Sequence, residues 1–290
     1  MSLQEILQQL VNGLVTGGIY ALIAVGLTMI FGILDIVNFA HGELYMVGAY
    51  LTYIFVTQIN LPFAVAVAAA VAAAALIGAL VEFVIFRPVR FSSPLNSIIV
   101  SMGLSIILAN GALLIFTATP RALASPVSGS VDLGGVIVTW DRLLIFAVAA
   151  GLFVALTLYV RKTWMGTAMR AVAQDLTAAQ LVGININRVS RTTFVISVAL
   201  AAVAGALVGP LVVLQPSMGG VAVLKAFAVV ILGGIGSVPG AIFASLLLGV
   251  VEQFTAAFVS NAFKDFISFA ILIAVLMIRP TGLFGQQRTV

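Results

Sequence analysis

Residues 35–50 read DIVNFAHGELYMVGAY, and they separate two long stretches of sequence that only lipid can surround. Within this segment Asn38, His41 and Glu43 are polar, and Gly42 lies between the last two. Polar residues at a break between transmembrane helices usually mark a transport path. The alternative is a solvated turn made of ordinary turn residues, and the local chemistry alone favours neither interpretation.

The composition places the rest of the chain in a membrane. Hydrophobic residues make up 62% of the 290 residues and charged residues only 8%, whereas a soluble domain is about one quarter charged. A bilayer crossing needs about 20 apolar residues, and several stretches without Asp, Glu, Lys or Arg are longer than that. We therefore predict an all-α polytopic membrane protein that forms a single transmembrane domain over residues 1–290.

The apolar runs predict a bundle of about eight or nine transmembrane segments. We expect them near residues 10–31, 40–57, 62–86, 95–116, 143–159, 193–214, 221–232, 239–258 and 266–278. The first nine residues lack the positive charge that begins a cleavable signal peptide, so the first segment is expected to be retained.

Two of the junctions are rich in glycine and polar residues, which suggests broken helices in two related halves. Residues 31–48 read FGILDIVNFAHGELYMVG, and residues 231–249 read ILGGIGSVPGAIFASLLLG. Interrupted segments in both halves of a transporter point to its binding site. Alternatively, the glycines let helices pack closely, and both explanations can hold at once. The second break adds these candidate path residues: Gly233, Gly234, Gly236, Ser237 and Gly240.

Basic residues predict the orientation, because short cytoplasmic loops accumulate Lys and Arg. They fall into three groups, all on one side of the membrane if the N-terminus is outside and the number of crossings is odd. The groups are Arg87 and Arg90; Arg161, Lys162, Arg170, Arg188 and Arg191; and Arg279 and Arg288.

The longest predicted cytoplasmic loop, residues 161–191, contains an amphipathic pattern. Apolar residues recur every three or four positions, and Gly183 lies where such a helix would end. Within residues 166–182 only Arg170 is basic, so a docking helix fits better than a helix lying on the membrane surface. The candidate docking residues are Met165, Met169, Arg170, Val172, Asp175 and Leu176.

The predicted helices contain few isolated polar residues. A charge at the bilayer centre costs about 2.5–3.5 kcal/mol, so we expect Glu252 to be buried against a partner rather than solvated at the outer interface. Lys225 is expected to extend outward from a helix end rather than to contact a substrate carboxylate. Ser101 and Ser105 continue a polar stripe that starts at Ser97; they either line a path or bond their own helix carbonyls.

Enzyme and nucleotide-binding motifs are absent from the sequence. None of the three lysines follows a glycine, which excludes the Gly-Lys-Ser/Thr end of a phosphate-binding loop. HExxH and GxSxG are also absent. With no cysteine and a single histidine, a metal site is not expected. We predict a chain without its own ATPase site, without a bound cofactor and without a nucleic-acid partner.

Four motifs, in order and at similar spacing, resemble the permease subunits of ABC importers for branched-chain amino acids. They are residues 35–50, GTAMRAVAQDLTAAQLVGI (166–184), ILGGIGSVPG (231–240) and RPTGLFG (279–285). The resemblance implies a subunit of the bacterial inner membrane that works with a second related permease, two ATP-binding subunits and an extracytoplasmic solute-binding protein. It also implies that the loop residues named above contact the ATPase. Members carry branched-chain or other neutral amino acids, and close relatives carry urea or short amides.

Two other classes of function remain at this point. An ion-coupled secondary transporter would use His41 and Glu43 as a proton relay, and a scaffolding protein would tolerate changes at the polar breaks. For the importer, we expect Asn38, His41 and Glu43 to form a hydrogen-bonded cluster near the cytoplasmic mouth. Apart from Glu252 and Lys225, the helices offer few countercharges for a zwitterion, which suits a wide passage of low affinity.

Overall fold

A computed structural model describes residues 2–127, 129–132 and 134–285, and in these residues the chain is a bundle of helices with one small β-hairpin. The helices are α1 (Leu3–Leu34), α2 (His41–Thr57), α3 (Phe63–Val81), α4 (Arg87–Val89), α5 (Pro94–Phe116), α6 (Trp140–Lys162), α7 (Trp164–Gln174), α8 (Leu176–Leu181), α9 (Ile186–Val208), α10 (Met218–Gly233), α11 (Val238–Phe258) and α12 (Lys264–Ile278). The antiparallel strands β1 (Ser130–Asp132) and β2 (Ile137–Thr139) lie between α5 and α6.

The predicted all-α polytopic fold is confirmed. Within the described ranges, seven helical segments are long and apolar enough to cross a membrane. The helices α2 and α10 have only 17 and 16 residues, which is shorter than a full crossing needs. Together they give nine segments, in agreement with the predicted eight or nine.

The helix α1 lies at the centre of the bundle and has no charged residue after Glu5. It packs against α6, α9, α10 and α11, and its contact with α11 is made through glycines. A Cβ atom at Gly13 would lie 2.5 Å from the Cα atom of Val250, so the two backbones touch there without an intervening side chain. Small residues allow this close approach of transmembrane helices.

The described residues of the three basic groups lie at the end of the bundle where α1 finishes, which we call the inner end. Arg90 donates a hydrogen bond of 2.5 Å to the Asn187 side chain, so the turn after α4 lies beside the start of α9. The chain returns to the same end, where the Leu283 amide donates to the Leu232 carbonyl at 2.9 Å. This arrangement agrees with the predicted orientation; Arg288 lies outside the described residues.

The structure differs from the prediction in four places. The first helix is longer, because Ser2 and Glu5 form a reciprocal cap at its start. The helix α9, which corresponds to the predicted segment 193–214, begins earlier, at Ile186. The Asn185 side chain accepts a hydrogen bond from the Arg188 amide and caps the helix there. The loop 161–191 contains two helices instead of one, because Asp175 ends α7 and caps α8. The hairpin of β1 and β2 was not predicted.

We expect Gly17→Ala to destabilise the protein. The new Cβ would lie 2.7 Å from the Leu246 Cα atom and 2.8 Å from the Ser245 carbonyl oxygen, so α1 and α11 must separate. Overpacking of this kind costs about 1–3 kcal/mol, which should lower the Tm of the detergent-solubilised protein. Gly18→Ala is the matched control, since its Cβ would meet only the Ala149 Cβ at 3.8 Å. Equal Tm values for the two variants would contradict this account of the packing.

Candidate functional site

Two helices begin inside the bundle rather than at its surface. The Nε2 atom of His41, the first residue of α2, lies 3.0 Å from the Ile23 carbonyl oxygen. Ile23 precedes the inner end of α1 by eleven residues, which corresponds to about 16 Å of helix. The first break therefore carries the chain back into the membrane before α2 starts.

The helix α10 starts at the same level and points toward the inner end. Its second residue, Gly219, packs so closely on α2 that a Cβ there would lie 2.6 Å from the Glu43 carboxyl carbon and 2.8 Å from the Gly42 carbonyl oxygen. The N-termini of two short helices thus meet beside one carboxylate. Each N-terminus carries a partial positive charge, which stabilises a negative group placed there.

The three polar side chains of the first break are buried, but they do not form the predicted hydrogen-bonded cluster. Asn38 accepts from the Ala40 amide at 3.1 Å, His41 contacts the carbonyl of Ile23, and Glu43 accepts from Ser105 at 3.3 Å. That prediction was wrong, because α2 turns these side chains toward different neighbours. They also lie deeper than a cytoplasmic mouth. One Glu43 oxygen, one His41 nitrogen and the Asn38 amide nitrogen have no partner among the described residues.

The two candidate serines of α5 have different surroundings. Ser105 donates to Glu43 and so belongs to the first break, whereas Ser101 donates to the Ile98 carbonyl of its own helix at 2.9 Å. Both explanations given for the stripe therefore apply, one to each residue.

The second glycine-rich segment, residues 233–240, is a packed turn at the inner end. Gly234 and Gly236 have φ angles of 100° and 81°, which glycine adopts without strain. Ser237 caps α11 by accepting from the Gly240 amide at 3.1 Å, and the Phe284 amide donates to the Gly233 carbonyl at 3.1 Å. This placement supports the close-packing explanation of the glycines. The interrupted helix in this half is α10, whose start near Met218 lies outside the predicted break.

An ion-pair cluster lies on the other side of α10 from Glu43. Lys225 contacts the carboxylate of Glu252, and its Nζ atom lies 2.6 Å from an Asp265 oxygen. Tyr20 and Ser268 donate to Glu252 at 2.7 and 2.8 Å. The expected burial of Glu252 against a partner is confirmed. The prediction for Lys225 was wrong: only 5% of it is exposed, because two carboxylates hold it inside.

This cluster forms the base of a cavity of about 780 Å³, which we call the outer cavity. Its walls include apolar residues of α1 and α10, among them Ile19 and Ala222. Its remaining polar lining consists of Asn12, Thr16, Tyr45, Arg142, Gln215, Ser217, Gln253, Asn261 and Lys264. Most of these residues lie toward the end where α1 begins. Sequence analysis missed this site, although two opposite charges isolated in apolar helices were a signal for it.

A smaller cavity of about 340 Å³ lies at the inner end of the bundle. Asp35, Arg90, Ser97 and Val172 are among the residues that line it. The first break lies between the levels of the two cavities, since His41 packs on Ile23 and Ile23 itself lines the outer cavity. The structure therefore places buried polar groups between an outer and an inner space.

The loop residues predicted to dock a partner divide into two groups. Met169 and Val172 are buried in the core of this chain, so the prediction that they face a partner was wrong. Met165 and Leu176 pack partly against the same core, whereas Arg170 and Asp175 are exposed. The sequence pattern identified the buried face correctly but not the surface that covers it.

Comparison with known proteins assigns the chain to a family. Residues 9–276 match the family described as "Branched-chain amino acid transport system / permease component". This chain belongs to that family. The high-affinity branched-chain amino acid transport system permease proteins BraD of Pseudomonas aeruginosa and LivH of Escherichia coli K12 are each 41% identical to it, over 97% of this chain and 96% of the relative.

A third relative is more distant from this permease. The high-affinity branched-chain amino acid transport system permease protein LivM of Salmonella typhimurium is 25% identical to it, over 93% of this permease and 68% of LivM. LivH of the same organism is 41% identical. Two Salmonella typhimurium proteins with the same description, LivH and LivM, thus both align with the permease described here.

For the permease, we expect Gly219→Ala to impair function by separating α10 from α2. The Cβ atom would overlap the Glu43 side chain and the backbone of Gly42, and it would shift the start of α10. Gly220→Ala is the matched control, because a Cβ at Gly220 meets nothing within 4 Å. Solute uptake by membrane vesicles with equal amounts of each variant measures the effect. Full uptake with Gly219→Ala would show that the meeting of the two helix starts is dispensable.

Proposed function

We propose that this permease is the membrane-spanning subunit of an ATP-driven importer in the cytoplasmic (inner) membrane that translocates branched-chain or other neutral amino acids. The observation that carries the proposal is the 41% identity to LivH and BraD over nearly the whole length of all three chains. Within the chain, the proposal is supported by buried polar groups that lie between an outer and an inner cavity. Alternating access would open these cavities in turn.

The energy for transport would come from other polypeptides, since the sequence lacks a phosphate-binding loop. We infer that two ATP-binding subunits supply it, that this chain binds no cofactor, and that an extracytoplasmic protein delivers the solute. A second permease of the same family would complete the membrane part, as the pair LivH and LivM suggests. The helices α5, α6 and α12 are largely exposed, which leaves room for both lipid and a second permease.

The geometry gives less support to an ion-coupled carrier. A proton relay needs groups that exchange protons through hydrogen bonds, but His41 and Glu43 bind different neighbours. Nothing in the arrangement favours urea or short amides over an amino acid, whereas the charged base of the outer cavity favours a zwitterion.

The cytoplasmic segment α7–α8 offers a docking surface for an ATP-binding subunit. Met169 and Val172 attach the segment to the bundle, so a displacement of the segment is passed directly to the membrane helices. Both ends of the segment carry exposed apolar side chains: 65% of Trp164, 84% of Leu181 and 78% of Val182 are accessible. Exposed apolar residues in a connecting loop are typical of a surface that a partner covers.

We expect Leu181→Asp to weaken the association with the ATP-binding subunits by roughly tenfold or more, because a charge would be buried without a partner in the interface. Co-purification of the subunits and solute-stimulated ATP hydrolysis measure the effect. Thr177→Asp introduces the same charge at an exposed polar position of the same helix and should have a much smaller effect. Equal association of both variants with the ATPase would remove α8 from the docking surface.

The partner requirement is tested by reconstitution. The permease alone in proteoliposomes should not transport leucine, even with a proton or sodium gradient. Uptake should appear when the second permease, both ATP-binding subunits, the solute-binding protein and ATP are present, because the energy source is external to this chain. Omission of each component in turn provides the controls. Gradient-driven leucine uptake by the permease alone would refute the importer and favour an ion-coupled carrier.

A further inference from the structure

We propose that the base of the outer cavity is a transit site for the zwitterionic head group of an amino acid, with Lys225 binding the carboxylate and Glu252 and Tyr20 binding the ammonium. The proposal rests on the importer function and adds the place at which this chain contacts the solute. It is carried by the one location among the described residues where a buried cation and a buried anion face the same cavity.

The hydrogen-bonding capacity of Lys225 leaves room for a ligand. A lysine ammonium has three donors, and Lys225 uses two of them on Glu252 and Asp265. The Nζ atom also lies 5.7 Å from the centroid of the Phe269 ring, and the third donor, which makes no hydrogen bond to the described residues, is left for a carboxylate oxygen in the cavity. A charged hydrogen bond of this kind is stronger than a neutral one, which suits recognition of a carboxylate.

The ammonium of the solute has hydrogen-bond acceptors available next to Lys225. A carboxylate offers about four lone-pair positions, and Glu252 accepts from three groups: Tyr20, Lys225 and Ser268. One position therefore remains, and the Tyr20 hydroxyl oxygen adds another acceptor. Both residues line the outer cavity, so a solute ammonium reaches them from the same space as its carboxylate reaches Lys225.

The size and lining of the cavity agree with an aliphatic amino acid. Its volume of about 780 Å³ lies within the range of about 300–1,000 Å³ of ordinary ligand pockets. Val15, Ile19, Val221 and Ala222 contribute apolar surface. An amino acid with its head group at the charged base would place its side chain against these residues.

A purely structural role is the competing explanation for the ion pairs. Lys225 links α10 to α11 through Glu252 and to α12 through Asp265, so the cluster holds three helices together. A structural link requires no ligand and makes no distinction between solutes. The transit site instead requires that binding depends on both charges of the solute. The dependence of binding on the solute's charges therefore distinguishes the transit site from the structural role.

The chain has no cysteine, so a single cysteine reports on the cavity without background from this subunit. Thr16 lines the outer cavity and its hydroxyl accepts from Gln253, the neighbour of Glu252, at 3.2 Å. The experiment uses the complete complex in nanodiscs without ATP. The rate at which a small thiol reagent modifies Thr16→Cys is measured on this chain while L-leucine is added. Asn60→Cys, in an exposed turn, is the control site.

We expect L-leucine to slow the modification of Thr16→Cys and not of Asn60→Cys. Isopentylamine, which lacks the carboxylate, and 4-methylpentanoate, which lacks the ammonium, should each need a roughly tenfold higher concentration for the same protection, since each loses one charged hydrogen bond. Protection by all three compounds at equal concentration, or by none of them, would overturn the proposal.

Variants of Lys225 and Glu252, at the base of the outer cavity, distinguish a role in binding the solute from a role in holding the helices together. Lys225→Met and Glu252→Gln, each combined with Thr16→Cys, should raise the protecting leucine concentration by roughly tenfold. Lys225→Arg keeps the charge and should retain protection, which controls for misfolding of the methionine variant. Lys162→Met, an exposed lysine at the end of α6, should have no effect. Unchanged protection with Lys225→Met would leave the ion pairs a structural role only.

The experiments distinguish a failure of the transit site from a failure of the importer assignment. ATP-dependent leucine uptake by the complete complex, combined with an absence of leucine protection, would overturn the transit site and leave the importer intact. Protection by leucine, combined with gradient-driven uptake by the permease alone, would retain the site and overturn the importer.

Discussion

Close backbone contact between α1 and its neighbours is the constraint on which the rest of the structure depends. Lipid tails are as apolar as leucine side chains, so helices in a bilayer gain little from burying apolar surface and rely on tight packing. Gly13 and Gly17 bring the backbone of α11 directly onto α1, and Gly26 lies against the Ser197 carbonyl of α9. A mostly apolar helix at the centre of the bundle depends on such contacts, and the surrounding helices take their positions from it.

Because α1 supplies no charged group to the interior, the charged groups of the two sites come from its neighbours: Glu43 from α2, Lys225 from α10 and Glu252 from α11. The short helices α2 and α10 start beside the middle of α1. The first amide groups of a helix have no partner within the helix, and this favours the negatively charged Glu43 at that place. On the other side of α10, Lys225 is kept within the membrane by two carboxylates, which removes most of the cost of an isolated charge. The sites on the two faces of α10 are therefore consequences of the same short helix.

The sequence predicted those features that depend on local pattern. The membrane segments, the break at residues 35–50 and the burial of Glu252 follow from hydropathy and from the cost of a charge in lipid. The partners of Lys225 were not predictable, because Glu252 and Asp265 lie 27 and 40 residues away and meet it only through tertiary packing. The same limit applies to Met169 and Val172: a helical stripe shows that one face is buried, but the pattern is identical for a partner's groove and for the chain's own core.

The charged base of the outer cavity also bears on the affinity that an importer needs. A carrier that receives solute from a binding protein must release it again, so very tight binding along the path would slow transport. The charges of Lys225 and Glu252 are already paired with each other, and a zwitterion would exchange one set of charged contacts for another. Its net gain is then small, whereas an unpaired buried lysine would bind a carboxylate strongly at a large cost to the folded state. Paired charges thus allow recognition of the head group together with the weak binding that onward transport requires.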